Sequence, residues 1–255
     1  MKSFFVRQRL RAADIRIFHP SRELGIALAF AVAYVLAAVV TGLIERAYPL
    51  PLLDATYLTS DATYIFAFKI GLLLVVPLIA IRRTGYKLDD FLLGWRPTPR
   101  AVAVVVALFI LGVLVNASKL APISAAPFGP AEKYLRMGIG AGLMLFTAAL
   151  PEEIVYRWGL QTRIERLWGR AAAIIGASLL FTAWHLPTRF LLASGAEGRA
   201  GDFASVLLGT GLSVFIVGLI FGWAWDRWRN LPALVALHWG IDTLPGIASF
   251  LKLPP

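Results

Sequence analysis

The stretch that decides the fold is residues 137–153, which read MGIGAGLMLFTAALPEE. Residues 137–151 carry no charge, and Glu152 and Glu153 close the run. A carboxylate at the centre of a membrane helix costs roughly 2.5–3.5 kcal/mol on insertion scales. Two adjacent carboxylates are therefore a poor end for a plain membrane anchor, and they are typical of a site that does chemistry.

The composition places the whole chain in the membrane class. Of the 255 residues, 58% are hydrophobic and 16% are charged, whereas soluble domains have about 45–50% apolar and about 25% charged residues. The chain has 0 cysteines, which excludes a disulfide framework, a thiolate metal site and a cysteine nucleophile.

Several apolar stretches are long enough to cross a bilayer, which takes about 20 residues in a helix. They are residues 24–44, 62–81, 101–118, 137–151, 171–188, 203–225 and 231–251. We predict an all-α, polytopic integral-membrane helical bundle with about seven transmembrane helices. A single domain over residues 24–255 would follow a basic cytoplasmic segment, residues 1–23. The fourth stretch is short, so its helix is expected to continue through the glutamates and past Arg157.

The net charge of +10 is distributed as a topology signal. Lys and Arg are concentrated in alternate connecting segments, and the positive-inside rule then places the N-terminus in the cytoplasm and the C-terminus outside. The excess charge would contact anionic lipid, so nucleic acid is not expected as a partner. A cysteine-free multi-pass chain suits a bacterial inner membrane. Residues 85–99 are predicted to lie along the membrane interface, and the glycine-rich loop 193–202 is predicted to be flexible.

Few ionisable side chains fall inside the apolar stretches: Lys69, Glu152, Glu153, Arg157, His185, His238 and Asp242. Successive helical residues differ by about 100° around the axis, so the two glutamates cannot point at one spot. Glu153 and Arg157 are four residues apart and can pair, which leaves Glu152 as the candidate for chemistry. Lys69 is expected to snorkel or to pair with a carboxylate, with no catalytic role.

The histidines occur in similar pairs. Phe181 lies four residues before His185, and His238 lies four residues before Asp242. A carboxylate beside an imidazole fixes its tautomer and orientation, and Gly240 would allow another helix to approach closely. The structural alternatives are an interfacial charge cluster, a buried histidine bonded to a backbone carbonyl, and a polar pair that joins helices.

A carboxylate with two imidazoles supports two kinds of chemistry. It can activate water for attack on a carbonyl. The same Glu152, His185 and His238 could instead hold a zinc ion and leave one position open for water. Their spacing does not choose between the two.

The ordered set of motifs resembles the CAAX-protease and bacteriocin-processing family, also called the Abi family, which includes the type II CAAX prenyl endopeptidases. The matching patterns are Glu152-Glu153-x-x-x-Arg157, Phe181-x-x-x-His185 and His238-x-x-x-Asp242. Together they cover about residues 143–246.

The resemblance implies an all-helical intramembrane endopeptidase with a membrane-associated peptide or protein as substrate. Glu152 would be the general base, with His185 assisting. His238 and Asp242 would stabilise the oxyanion or position the substrate carbonyl. Glu153, Arg157 and Phe181 would support the helices. A metal-free, glutamate-type mechanism is favoured over a divalent metal. Asp242 stands where the prenyl-peptide enzymes favour asparagine, which departs from a strict prenyl-CAAX site.

Two other function classes stay open. Carboxylates and histidines on several helices also form proton relays in transporters, although the chain has no repeated span pattern. A bacteriocin-immunity protein or a membrane scaffold would use the same fold without catalysis. The oligomeric state is not predicted.

Overall fold

The computed structural model describes residues 17–47, 70–92, 95–193 and 195–251, and every regular element within these ranges is helical. This agrees with the predicted all-α class. Residues 1–16 of the basic segment and Lys69 lie outside the described residues.

The helices that matter for the site begin and end as follows. Listed in chain order, they are α1 (Pro20–Ala47), α2 (Val76–Arg83, preceded by the π-helical Ile70–Val75), α3 (Leu88–Leu92), α4 (Pro99–Val115), α5 (Leu120–Ala125), α6 (Pro130–Trp168), α7 (Arg170–Leu192), α8 (Phe203–Trp228) and α9 (Leu231–Phe250).

Among the described residues, 4 helices are long and apolar enough to cross a membrane: Pro20–Val40 of α1, α6, α7 and α8. The count is 5 if α4 and the following Ala117–Ala125, which bend by 67°, form one span. The prediction of seven spans is therefore not confirmed. Part of the second predicted span lies outside the described residues, and α9 is not among the qualifying helices because polar residues such as His238 and Asp242 dilute its apolar sequence.

Local sequence signals set the helix ends. The Thr98 hydroxyl accepts a hydrogen bond from the Ala101 amide at 3.2 Å and caps α4, as short polar side chains do at this position. The Asp202 carboxylate caps α8 in the same way, at 3.0 Å from the Ser205 amide. Gly169 separates α6 from α7 with φ of 85°, a conformation that glycine adopts without steric cost.

Helix α6 contains two π-helical segments, Leu145–Ala149 and Glu153–Gln161, on either side of Leu150–Glu152. The Leu150 amide donates to the Leu145 carbonyl, five residues earlier. Pro151 has no N–H for the carbonyl four residues before it, which favours a wider turn here. As predicted, α6 continues well past Arg157, to Trp168.

The chain divides into two compact units, which meet along the chain inside α6 at the bond between Glu152 and Glu153. The first unit comprises Met1–Pro49, Thr84–Gly94 and Glu153–Leu231. The second comprises Leu50–Arg83, Trp95–Glu152 and Pro232–Pro255. The prediction of one domain over residues 24–255 stays a prediction.

In the first unit, a buried polar network joins α1 to α6. Arg163 Nη2 lies 3.0 Å from Glu23 Oε2, and the Tyr86 hydroxyl donates to the same oxygen at 2.5 Å. Burial is the main cause that raises the pKa of Tyr86 to about 12, so the phenol stays protonated and donates. Phe91 stacks on Trp158 with ring centroids 4.4 Å apart. Two aromatic residues of the predicted interfacial segment, Tyr86 and Phe91, thus pack against Trp158 of α6.

The loop after α7 is also packed. The Thr210 hydroxyl donates to the Glu197 carbonyl at 2.8 Å, and Arg189 Nη2 lies 3.1 Å from Glu197 Oε1. A β-carbon on Gly209 would lie 2.7 Å from the Glu197 carbonyl carbon. These contacts tie the glycine-rich loop to α8, where the sequence predicted flexibility.

In the second unit, α9 packs against α5 and α6. Buried apolar residues from the end of α9 and from α5 and its C-terminal side form one cluster, made of Ile123, Ala126, Leu244, Ile247, Ala248 and Leu251. At the far end of α9, Arg136 Nη1 donates to the Phe250 carbonyl at 3.3 Å. Helix α9, which carries His238 and Asp242, is therefore held along its length.

Candidate active site

Glu152 and His238 face each other in the second unit. Glu152 is 3% exposed, and its Oε2 lies 3.8 Å from His238 Nε2. This distance is longer than a direct hydrogen bond and short enough for a water molecule to contact both groups. Glu152 comes from the single turn between the two π-helical segments of α6, and wider turns of this kind are frequent at functional sites.

Asp242 is close to the same His238 nitrogen, Nε2, that faces Glu152. Its Oδ2 is 3.3 Å from His238 Nε2, as the spacing of four residues in a helix predicted. Carboxylate oxygens accept hydrogen bonds, so a proton on Nε2 can be donated on this side of the ring. His238 Nε2 thus faces two carboxylates, Asp242 at 3.3 Å and Glu152 at 3.8 Å.

The turn between His238 and Asp242 is fixed from several sides. The Trp239 indole N–H donates to the Ala141 carbonyl of α6 at 2.6 Å. Gly240 packs against α4 so closely that a β-carbon there would overlap the Phe109 carbonyl and lie 3.0 Å from Gly112 Cα. The close approach predicted for Gly240 is confirmed.

Residue 112 makes the matching contact from the α4 side. A β-carbon on Gly112 would overlap the Leu237 carbonyl and lie 2.8 Å from the Ile241 amide nitrogen. The Asn116 side-chain amide, one turn further along, donates to the Ile241 carbonyl at 2.7 Å. Two glycines and one amide therefore set the distance between α4 and α9.

Glu153 and Arg157 form the predicted pair in the first unit. Arg157 Nε lies 3.5 Å from Glu153 Oε2, and both side chains are about 1% exposed. The Arg157 guanidinium also lies over the Phe181 ring, 5.1 Å from its centroid. A buried ion pair covered by an aromatic face supports the helix packing.

Phe181 continues this arrangement to His185. The two rings meet edge to face with centroids 4.7 Å apart. His185 Nδ1 lies 2.8 Å from the Phe181 carbonyl oxygen, and a carbonyl only accepts, so Nδ1 carries the proton. The backbone-bonded histidine considered for this position is what the structure contains, and the bond fixes the tautomer with Nε2 as the acceptor nitrogen. Helix α7 continues through Pro187 to Leu192.

The predicted site residues thus fall into two groups. The second unit brings together Glu152, His238 and Asp242. The first unit brings together Glu153, Arg157, Phe181 and His185. The adjacent glutamates belong to different groups, as the rotation between successive helical residues predicted.

Within the described part of the chain, no group of three or more His, Asp and Glu side chains is placed to hold a metal ion.

Sequence reasoning missed the residues that hold α9 in place. Asn116, Trp239 and Gly112 carry no charge, so a search for ionisable groups in apolar stretches passes over them. One signal was available: Pro245 lies four residues after Ile241 and leaves that carbonyl without its helical donor.

Comparison with known proteins agrees with the motifs. Residues 134–244 match the family model described as type II CAAX prenyl endopeptidase Rce1-like, a range that contains all three motifs. Comparison with curated proteins and with solved structures finds no match. Residues 134–244, somewhat less than half of the chain, are therefore similar to the Rce1-like type II CAAX prenyl endopeptidases.

Proposed function

We propose that the protein is a membrane-embedded endopeptidase that hydrolyses a peptide bond with water activated by Glu152. The observation that carries this proposal is the buried Glu152 carboxylate 3.8 Å from His238 Nε2, inside the segment that matches the endopeptidase family. A buried carboxylate beside an imidazole donor is a combination that supports acyl transfer to water.

The proposed reaction has two steps. Glu152 accepts a proton as the water oxygen attacks the scissile carbonyl, and the new C–O bond shifts the carbonyl electron pair onto oxygen. The His238 Nε2–H group, which lies beside Asp242 before substrate binds, donates to that oxyanion. The intermediate then collapses with cleavage of the C–N bond, and the proton held by Glu152 passes to the leaving amine.

We propose supporting roles for the first-unit residues. His185 assists Glu152 as an acceptor, since the bond from Nδ1 to the Phe181 carbonyl leaves Nε2 unprotonated. Glu153, Arg157 and Phe181 stabilise the helices that carry these groups.

The substrate class follows from where the site residues lie. A site on apolar helices suits a membrane-associated peptide or protein, and the family match adds prenylated C-terminal peptides as candidates. We propose that Asp242, in place of asparagine, permits substrates without a prenyl group. The proposed location is an inner membrane, with the N-terminus in the cytoplasm.

The test uses the full chain reconstituted in proteoliposomes with a library of farnesylated and unprenylated peptides, whose cleavage products are identified by mass spectrometry. We expect Glu152→Gln to lower kcat by about 10²–10⁴-fold, the usual contribution of a general base. The matched control is Glu132→Gln, which removes another α6 carboxylate that pairs with Arg136 at 2.9 Å.

The comparison of variants decides the proposal. Wild-type cleavage by Glu152→Gln, or no cleavage of any library peptide by the wild-type protein, would refute it. Ion flux through the same proteoliposomes that requires Glu152 would favour a transporter instead. Cleavage of the unprenylated peptides alone would leave the endopeptidase proposal standing and remove prenyl-CAAX substrates.

A further inference from the structure

Asn116 lies at the corner where α4 ends and the following pair of short helices bends away by 67°. It is outside the segment that matches the family, residues 134–244. We propose, on the basis of the proposed function, that Asn116 is a positioning residue. It holds α9 in the register that directs His238 and Asp242 at the reacting carbonyl.

The need for such a residue arises from Pro245. In an α-helix the carbonyl of Ile241 would accept from the N–H of residue 245, but proline has no N–H and its ring crowds that carbonyl. Asn116 Nδ2 donates to the Ile241 carbonyl at 2.7 Å. The carbonyl can only accept, so the amide nitrogen must face it. Asn116 supplies from α4 the donor that Pro245 removes from α9.

The bond acts on the site because of where Ile241 lies. It directly precedes Asp242 and is three residues after His238, so a rotation or shift of the Ile241 carbonyl moves both side chains. The Trp239 bond to Ala141 at 2.6 Å holds the same turn toward α6. Catalytic groups displaced by about 1 Å can lose about 10²-fold in rate, and the two bonds restrict movement of this kind.

The experiment uses the full chain and a double variant that restores the donor from the other helix. Asn116→Leu removes the donor at similar volume. Pro245→Ala returns a backbone N–H to α9, and the double variant Asn116→Leu/Pro245→Ala tests for rescue. If Asn116→Leu lowered activity only because α4 was capped less well, a substitution on α9 could not restore that activity. Ser124→Ala is the matched control, because it removes a hydrogen bond of similar length, 2.8 Å to Ala121, from α5.

The first readout does not depend on activity. The chain has 3 histidines, so ring ¹⁵N signals of labelled protein can be assigned by comparison with a His238→Ala sample. We expect Asn116→Leu to shift the His238 ring signals and leave those of His19 unchanged. The double variant should return the His238 signals to their wild-type positions. Pro245→Ala and Ser124→Ala should leave them unchanged.

The second readout is cleavage of a library peptide. We expect Asn116→Leu to lower kcat by about 10–100-fold, the usual effect of losing a residue that orients a functional histidine, with KM unchanged. The double variant should recover to within a few-fold of the wild-type kcat.

Each outcome decides the inference. Wild-type His238 signals in Asn116→Leu, or no recovery in the double variant, would overturn it. If Asn116→Leu does not fold, the double variant decides alone: folding with wild-type His238 signals supports the inference, and failure to fold overturns it. Rescued His238 signals in a protein that cleaves no peptide would refute the proposed function and support the positional role of Asn116.

Discussion

Glu152 and Glu153 are neighbours in the chain whose carboxylates have different surroundings. Glu152 lies 3.8 Å from an imidazole nitrogen, whereas Glu153 lies 3.5 Å from a guanidinium nitrogen that is itself buried. An arginine stays charged in proteins, so the partner of Glu153 cannot take up or release a proton in a reaction. A histidine exchanges protons near neutral pH, so only Glu152 has a partner suited to a reaction with proton transfer.

This difference predicts that substituting the two glutamates changes the free energy of unfolding by unequal amounts. Glu153→Gln removes one charge of a buried pair and leaves the Arg157 charge uncompensated, which costs about 3–5 kcal/mol. We expect Glu152→Gln to change the free energy of unfolding by less than about 1 kcal/mol, since His238 keeps Asp242 at 3.3 Å. Unfolding in mixed detergent micelles measures both. Equal losses in the two variants would contradict the separation of roles.

The sequence was sufficient to predict contacts between side chains of the same helix. The spacing of four residues predicted the contacts of Glu153 with Arg157 and of His238 with Asp242, because helix geometry places such residues on one face. The contact of Glu152 with His238 joins positions far apart in the chain. It depends on tertiary packing, so spacing could motivate it but could not establish it.

At the scale of elements, hydropathy predicted α6, and the need to accommodate the glutamates predicted its continuation past Arg157. The structure extends this helix to Trp168. The two π-helical segments were not predicted, because rotation of about 100° per residue was assumed throughout. Pro151 was the visible sign of the first segment. A close helix approach at Gly240 was predicted, but the approaching helix, α4, was not identified.

The glycine crossing gives a prediction about packing. Gly112→Ala would place a methyl group on the Leu237 carbonyl and push α4 away from α9, so we expect a loss of about 1–3 kcal/mol, the usual cost of overpacking, together with lower activity. Gly138→Ala is the matched control, because a β-carbon there has no neighbour within 4 Å. It should stabilise α6 by about 0.5–1 kcal/mol.

The free energy of unfolding in mixed micelles and the rate of peptide cleavage are compared between the two glycine variants. A Gly112→Ala protein with wild-type stability would show that the contact of Gly112 with the Leu237 carbonyl does not set the separation of α4 and α9.

At the scale of the whole molecule, composition correctly indicated helices and membrane but not the number of spans. Counting apolar stretches treats them all as full spans. Helix α4 has 17 residues, which is about 26 Å at 1.5 Å per residue. This length is short for a hydrocarbon core of about 30 Å. Its bend into Ala117–Ala125 could not be read from hydropathy, because the bend follows from packing of α4 and α5 on α9.

The absence of cysteine makes the topology testable by labelling. Pro97→Cys and Gly129→Cys place single thiols at exposed positions before α4 and after α5. If the bent pair crosses the membrane as the distribution of basic residues predicts, a membrane-impermeant reagent applied to intact cells should label position 129 and spare position 97. Labelling of both positions from outside would remove that crossing.

The π-helical segment before Glu152 makes the position of the carboxylate depend on the length of the chain. A turn closed by bonds to the fifth residue holds one residue more than an α-helical turn. If the same residues closed as an ordinary α-helix, everything after the segment would rotate by about 100°, turning Glu152 away from His238. Deleting one residue from Leu145–Ala149 would instead let the turn close as an α-helical turn and keep Glu152 on its present face. The direction of Glu152 thus depends on how one turn of α6 closes together with the number of residues in that turn.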